Sequence, residues 1–126
     1  MLKNSPFFAG IAVDDVAKAQ EFNGHTLGLD VSVVDEKFGL LALRATNGYT
    51  VLLYQRPGHQ PDEHTILNFP VNDIEAAVDQ LREAGVRFEQ YDEGPLKTNE
   101  KGIAHPGPKQ AWFRDPTGNL LSVVAD

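Results

Sequence analysis

Four histidines are the candidates for acid–base chemistry in this chain, because it has no cysteine to act as a thiolate nucleophile or metal ligand. His64 precedes an apolar run and His105 lies in a long polar segment, so a fold that brought either one to a cavity would make it a general base. His25 stands near the end of a predicted helix, where a cation offsets the helix dipole, and His59 lies in a predicted linker. We therefore interpret His25 and His59 as surface residues.

A serine in the middle of an apolar strand is the second unusual feature. Ser122 is flanked on both sides by leucine and valine, and its hydroxyl either bonds a neighbouring backbone carbonyl or contacts a ligand. Tyr54 is either a strand aromatic with its hydroxyl in water or a pocket residue. Asn68 is expected to hydrogen-bond, within the fold or to a ligand. Trp112 is either a stacking platform in a pocket or an interface aromatic.

Composition narrows the functional classes. The 126 residues carry a formal charge of −7 and are 41% hydrophobic, which predicts one globular domain and disfavours nucleic acid and anionic membranes as partners. No glycine-rich phosphate loop occurs, and "DPTGN" lacks the spaced carboxylates of a calcium loop, so it is interpreted as a turn. The apolar run in "MLKNSPFFAGIAVDD" is too short for a spanning helix or a secretory signal, which predicts a first strand and a cytoplasmic protein.

The chain contains an internal repeat. "VDDV" from Val13 matches "VNDI" from Val71 at an offset of 58, and "RATNGYTVLLY" from Arg44 matches "RDPTGNLLSVV" from Arg114 at an offset of 70. In each half an apolar run precedes a helical pattern, and a turn followed by an apolar strand closes the half. Duplication of a strand, a helix and three further strands explains both matches.

The repeat predicts where each half begins and ends. We expect a single domain of two modules, about residues 5–56 and 63–126, with residues 55–64 as linker. Asp14 and Asn72 are the predicted helix N-caps, and Gly28 and Gly85 the predicted stops. The second half is longer by about twelve residues, which fall in Glu89–Gln110, a predicted long loop rich in glycine, proline and charge.

Together these segments resemble a known group of proteins. The two modules and the motif "WFRDPTGNLL" are similar to the vicinal oxygen chelate superfamily, which includes glyoxalase I, extradiol dioxygenases and bleomycin-resistance proteins. The resemblance extends from Phe7 to Val124 and implies an α+β fold. It would contain two βαβββ modules that form a cupped mixed sheet, with helices on its outer face and a ligand cavity inside. Because proteins of one fold perform different functions, the activity has to be inferred from the residues that line the cavity.

Catalytic members of that superfamily bind one divalent metal with a side chain from the first and last strand of each module. The resemblance carries these four positions onto Phe8, Leu52, Ile66 and Ser122, none of which is an imidazole or a carboxylate. The repeat relates the positions in pairs, Phe8 with Ile66 and Leu52 with Ser122. A register slip of two residues would bring in His64, which keeps a metal site open as an alternative.

Strand alternation predicts two contrasting faces. The cavity face carries Phe8, Leu52, Tyr54, His64, Ile66, Asn68, Leu120, Ser122 and Val124. The opposite face is apolar and packs under the helices: Ile11, Val13, Val51, Leu53, Leu67, Phe69, Leu121 and Val123. The mixed face is typical of a pocket for an organic molecule.

The sequence thus predicts a binding protein without metal or cofactor, which holds a small, partly aromatic organic molecule. The predicted ligand-binding residues are Phe8, Leu52, Tyr54, His64, Ile66, Asn68, Trp112 and Ser122. The alternative is a lyase, isomerase or dioxygenase that uses a displaced divalent metal, or His64 and His105. We also expect a homodimer, as small members of this superfamily usually pair, with no nucleic-acid or membrane partner.

Overall fold

Two compact units make up the chain, Met1–His59 and Gln60–Asp126. The computed structural model describes residues 1–94, 97–105 and 107–125. Neither helix in these ranges has the length and hydropathy that a bilayer crossing requires.

The first unit is one βαβββ module. Its strand β1 leads into helix α1, a π-helical turn at Phe22–Thr26 extends that helix, and three strands follow. The elements are β1 (Ala9–Val13), α1 (Val16–Glu21), β2 (Asp30–Asp35), β3 (Leu40–Arg44) and β4 (Thr50–Gln55). The strand order is β1-β4-β3-β2, with β1 parallel to β4 and the other pairs antiparallel.

The second unit repeats this arrangement. Its elements are β5 (Thr65–Pro70), α2 (Ile74–Glu83), β6 (Ile103–Ala104), β7 (Lys109–Arg114) and β8 (Leu120–Ala125). The strand order is β5-β8-β7-β6, and β5 runs parallel to β8. The predicted α+β fold of two βαβββ modules is confirmed.

Strand register preserves the repeat residue by residue. Gly10 pairs with Leu52 in the first sheet and Asn68 pairs with Ser122 in the second. Adding 58 to Gly10 gives Asn68, and adding 70 to Leu52 gives Ser122. The next strand agrees, since Ala42 pairs with Leu52 as Trp112 pairs with Ser122. The two sequence offsets, 58 and 70 residues, therefore connect structurally equivalent strand positions of the two sheets.

Helix caps fall one residue later than the sequence suggested. Asp15 caps α1 by accepting from the amides of Ala17 and Lys18, at 3.0 and 3.2 Å. Asp73 caps α2 by accepting from Ala76 at 3.1 Å. The prediction of Asp14 and Asn72 as caps was wrong. A capping side chain accepts from the amides two or three residues ahead, and in this structure the side chains that do so are Asp15 and Asp73.

The predicted loop at Glu89–Gln110 contains more structure than expected. Phe88 forms a bridge with Phe113, and the amide of Glu89 bonds the carbonyl of Trp112 at 2.8 Å. Further along, β6 pairs with β7 and β7 itself begins at Lys109. The outer edge of β7 is thus paired at both ends, by residues 88–89 and by β6. The inserted residues lie between these two contacts.

The apolar face of each sheet forms the core beneath its helix. Val13 and Leu41 in the first unit, and Val78 and Phe113 in the second, are almost completely buried. In the second unit α2 contacts β7 and β8, and its buried residues are Ile74 and Val78. Burial of each such side chain stabilises the fold by about 1.5–3 kcal/mol. This agrees with the predicted division of the strands into an apolar and a mixed face.

Removal of the α2 cap tests the observed helix start. We expect Asp73→Ala to lower the free energy of unfolding by about 1 kcal/mol, because the amide of Ala76 loses its partner. The matched control is Asn72→Ala, whose side chain bonds no described residue and whose loss should be close to neutral. Urea unfolding monitored by circular dichroism measures both. A larger loss of unfolding free energy from Asn72→Ala than from Asp73→Ala would identify Asn72 as the cap, as the sequence pattern predicted.

Candidate functional site

The mixed face of the second sheet brings polar and aromatic side chains together. Along β7 it carries every second residue, Gln110, Trp112 and Arg114, and along β8 it carries Leu120, Ser122 and Val124. On β5 the residues paired into these rows are Thr65, Asn68 and Pro70. The central row therefore runs Asn68–Ser122–Trp112 across three strands.

Ser122 joins these strands through its side chain. It is 0% exposed, and its hydroxyl donates to Asn68 Oδ1 at 2.5 Å while it accepts from Gln110 Nε2 at 3.0 Å. Gln110 Nε2 also lies 3.4 Å from Asn68 Oδ1. A buried hydroxyl requires such partners. The sequence left open a bond to a backbone carbonyl, but Ser122 instead orients two side-chain amides.

Trp112 forms the aromatic part of the face. It is 5% exposed and clusters with Ala104 and Leu120. Its indole nitrogen donates to Thr65 Oγ1 at 3.1 Å. The Tyr91 ring meets it edge to face, with centroids 5.6 Å apart and planes at 77°. These contacts hold the indole in one orientation.

Tyr91 comes from the inserted segment and is fixed by its backbone. Its amide bonds Thr98 Oγ1 at 2.9 Å, and its carbonyl accepts from the Thr98 amide at 2.8 Å. Burial and the nearby Glu89 carboxylate raise the pKa of the Tyr91 phenol, and Arg114 only partly offsets them. The phenol therefore stays neutral at physiological pH and can donate a hydrogen bond.

Arg114 is the cation of this face, and two carboxylates pair with it. Its Nε donates to Glu89 at 2.6 Å and its Nη2 to Glu63 at 2.9 Å, while Nη1 bonds the carbonyl of Gly118 at 2.9 Å. The hydrogen bond to Glu89 is the main reason why the pKa of Arg114 is raised. At the described strand positions of this face no other cationic side chain is present. This face therefore has no unpaired cation for an anionic ligand at its described strand positions.

The "DPTGN" turn sets where β8 begins. Asp115 accepts from the amides of Gly118 and Asn119, at 2.9 and 2.8 Å, and from Asn119 Nδ2 at 3.0 Å. Burial raises the pKa of the Asp115 carboxyl, and these bonds, that of the Asn119 side chain first, oppose the rise. Gly118 adopts a φ of +104°, and a Cβ there would lie 3.0 Å from Pro61. The predicted turn, and its need for glycine, are confirmed.

Three predicted site residues belong to the first unit. Leu52 and Tyr54 share one face of β4, where Leu52 is half-buried and Tyr54 is 37% exposed. Tyr54 lies beside Gly10, and a Cβ on Gly10 would lie 3.5 Å from the tyrosine ring, an ordinary contact distance. Phe8 precedes β1 and is 59% exposed, so strand alternation does not fix its direction.

A bulge changes the prediction for β5. Thr65 pairs with Leu120 and Leu67 with Leu121, so Ile66 is the extra residue and is half-buried. Because of this bulge, strand alternation no longer places His64 on the same face as Asn68. His64 lies exposed before the strand, with Nδ1 3.9 Å from Asp62, and His105 lies exposed after β6.

Four side chains that make hydrogen bonds or ring contacts at this face were not named from the sequence. Gln110 and Arg114 follow from alternation around Trp112, so the signal for them was present. Thr65 was hidden by the bulge, because alternation through Ile66 places it on the opposite face. Tyr91 gave no signal, since its position depends on how the inserted segment folds.

The superfamily's metal positions do not fit a divalent cation here. Phe8, Leu52 and Ile66 are hydrocarbon, and the Ser122 hydroxyl is already bonded to two amides. Divalent catalytic metals bind imidazole and carboxylate ligands. Within the described ranges, no group of three or more histidine, cysteine or acidic side chains is arranged for a metal ion.

Comparison with known proteins supports the resemblance seen in the sequence. The profile of the glyoxalase/bleomycin resistance protein/dioxygenase superfamily matches residues 7–123. A search of curated protein sequences finds no relative.

Solved structures share the fold at low identity. A putative glyoxalase family protein from Bacillus anthracis has a TM-score of 0.70 at 16% identity, covering 100% of this chain and 99% of that one. A superfamily member from Sphaerobacter thermophilus DSM 20745 has 0.66 at 23%, covering 95% and 97%. TnmS3, an antibiotic binding protein from Streptomyces sp. CB03234, has 0.68 at 24%, covering 97% of each chain.

Removal of the Ser122 hydroxyl measures its contribution to the fold. We expect Ser122→Ala to lower the free energy of unfolding by about 0.5–1.5 kcal/mol, because Asn68 and Gln110 lose one shared partner. Ser32→Ala is the control, since Ser32 occupies the first sheet's equivalent row and is exposed. A loss above about 3 kcal/mol in urea unfolding would give Ser122 a larger structural role.

A carboxylate at the same position tests the metal-free character of the site. Burial should raise the pKa of Ser122→Glu above its unfolded value of about 4.3, so the folded state binds more protons and stability falls as pH rises. We expect Ser122→Glu to be less stable at pH 8 than at pH 5, relative to Ser122→Gln, which has the same size without charge. A Glu variant that exceeds wild type in melting temperature at pH 8, only with divalent metal added, would identify a metal site.

Proposed function

Because the chain belongs to the glyoxalase/bleomycin resistance protein/dioxygenase superfamily, we propose that it binds a small, partly aromatic organic molecule without a metal ion. The ligand would lie on the mixed face of the second sheet, against the Asn68–Ser122–Trp112 row. Binding there would sequester or carry the molecule.

The hydrogen bonding of Ser122 carries this proposal. Where metal-dependent relatives are expected to have a carboxylate, this chain has a neutral hydroxyl already engaged with two amides. Beside it stand a fixed indole and a neutral phenol. Apolar and aromatic surface with a few oriented polar groups is typical of sites for organic molecules.

One structural neighbour agrees with this class of function. TnmS3 is an antibiotic binding protein, and its fold covers nearly the whole of this chain. Its ligand does not transfer at 24% identity, but the likeness supports binding as a role for this scaffold.

The enzymatic alternative gains no support from the surroundings of its histidines. His64 is exposed beside Asp62, and His105 is exposed and bonded to no described residue. A displaced metal would need ligands that the described residues do not group together.

A homodimer is part of the proposal. The first unit exposes Val33 and Val34 on its edge strand β2, and Phe38 in the turn that follows. A second copy would remove these side chains from water. A cytoplasmic location stays a prediction from the sequence.

Ligand binding in the presence of a chelator tests the proposed function. Untagged protein dialysed against EDTA would be screened by thermal shift with a chemically diverse set of aromatic compounds. We expect hits that raise stability by about 2.7 kcal/mol at one hundred times Kd. Fluorescence of Trp112, the single tryptophan, would report their binding.

Variants locate the binding site and separate the alternatives. Asn68→Ala should weaken the hits, whereas Gln80→Ala, on the exposed face of α2, should leave them unchanged. Binding that disappears in EDTA and returns with zinc, manganese, iron or nickel would contradict a metal-free site.

A further inference from the structure

Two amide groups on the mixed face of the second sheet each leave one polar atom without a partner. Asn68 uses Oδ1 to accept from Ser122 and Gln110, and Gln110 uses Nε2 to donate to Ser122 and Asn68. Asn68 Nδ2 and Gln110 Oε1 make no hydrogen bond to any residue in the described ranges. The face thus presents one donor and one acceptor on two amides that are hydrogen-bonded to each other.

Ser122 makes the two amides present opposite groups to its hydroxyl, one an oxygen and the other an NH2. Its hydroxyl has a single proton, which goes to Asn68 Oδ1, so Gln110 must approach with its NH2 group. With both inner atoms assigned, the outer atom of Asn68 is a donor and that of Gln110 is an acceptor. The arrangement is therefore a directional pair.

On the premise of the proposed function, we propose that the ligand is a neutral planar heterocycle with a ring carbonyl adjacent to a ring N–H, that is, a cyclic amide or imide. The carbonyl would accept from Asn68 Nδ2 and the N–H would donate to Gln110 Oε1. Two parallel hydrogen bonds of this kind bind the edge of a lactam and satisfy both protein atoms.

Charge and hydrogen bonding disfavour other ligand classes. A carboxylate would place lone pairs against Gln110 Oε1, and an ammonium group would place protons against the Asn68 NH2 group. A carboxylate would also lack a free cation, because Arg114 is paired with Glu89 and Glu63. The donor–acceptor pattern of the two amides therefore favours a neutral ligand.

An open depression at the ends of β5 and β8 has room for the rest of the ligand. It has a volume of about 370 Å³ and is lined by Pro70, Val71, Asn72, Val124 and Ala125. Pro70 and Val124 follow Asn68 and Ser122 by two residues and pair with each other, so they continue the same face. The volume lies at the lower end of ligand pockets and suits a fused two-ring system.

Matched probes test the hydrogen-bond pattern directly by calorimetry. 2-Quinolone carries the lactam edge, N-methyl-2-quinolone lacks the donor, and 2-naphthoate replaces the edge with an anion. We expect 2-quinolone to bind, the N-methyl compound to bind at least tenfold more weakly, and 2-naphthoate to bind more weakly than 2-quinolone.

A single-atom change in the protein tests the same pair. Asn68→Asp keeps Oδ1 for Ser122 and Gln110 but removes the outward donor, and should weaken 2-quinolone about tenfold. Asn99→Asp is the control: Asn99 Oδ1 caps the amides of Lys101 and Ile103, and the aspartate keeps that oxygen while it adds the same charge. Asn99→Asp should leave the affinity for 2-quinolone unchanged.

The outcomes separate this inference from the proposed function. Equal affinity for 2-quinolone and its N-methyl derivative, tighter binding of 2-naphthoate, or no binding of 2-quinolone at millimolar concentration would each overturn the cyclic-amide class. An equal loss of affinity in both variants would overturn the assignment to Asn68. The proposed function would still stand if the diverse screen gave EDTA-resistant ligands, and it would fail if that screen gave none.

Discussion

Parallel pairing of the first strand of each module with its last strand sets the geometry on which the rest of the structure depends. Parallel neighbours cannot be joined by a tight turn, so the chain must cross over the sheet through a helix before it returns. The crossover places α1 and α2 over one face of their sheets and leaves the other face to carry different residues. Asn68 and Ser122 are one of the residue pairs in this parallel strand pairing.

The two modules carry different side chains at equivalent paired positions of their sheets. The row that runs Asn68–Ser122–Trp112 in the second sheet has Gly10, Leu52 and Ala42 as its equivalents in the first. None of these three has a polar side chain, whereas the second row has a hydroxyl, an amide and an indole. The two modules have the same backbone arrangement, and of these two rows the second carries the hydrogen-bonding groups.

The inserted segment of the second module completes that set from outside the sheet. It protects the edge of β7, which would otherwise expose unpaired backbone groups, with residues 88–89 at one end and β6 at the other. It also supplies Tyr91 to Trp112 and Glu89 to Arg114. Because Glu89 pairs with Arg114, the inserted segment removes the cation that an anionic ligand would need on this face.

The sequence by itself determined the architecture, the correspondence between the two modules and the centre of the row. Two offsets in the repeat predicted that position 52 corresponds to 122, and alternation along β8 placed Ser122 opposite the core. These features depend on local periodicity, which each strand carries in its own residues. Tertiary structure alone decided the bulge at Ile66, the pairing of Trp112 with Tyr91 and the partners of the Ser122 hydroxyl. Each of these depends on which strand or inserted segment lies alongside, and contacts between residues so far apart in the chain leave no periodic signal in the sequence.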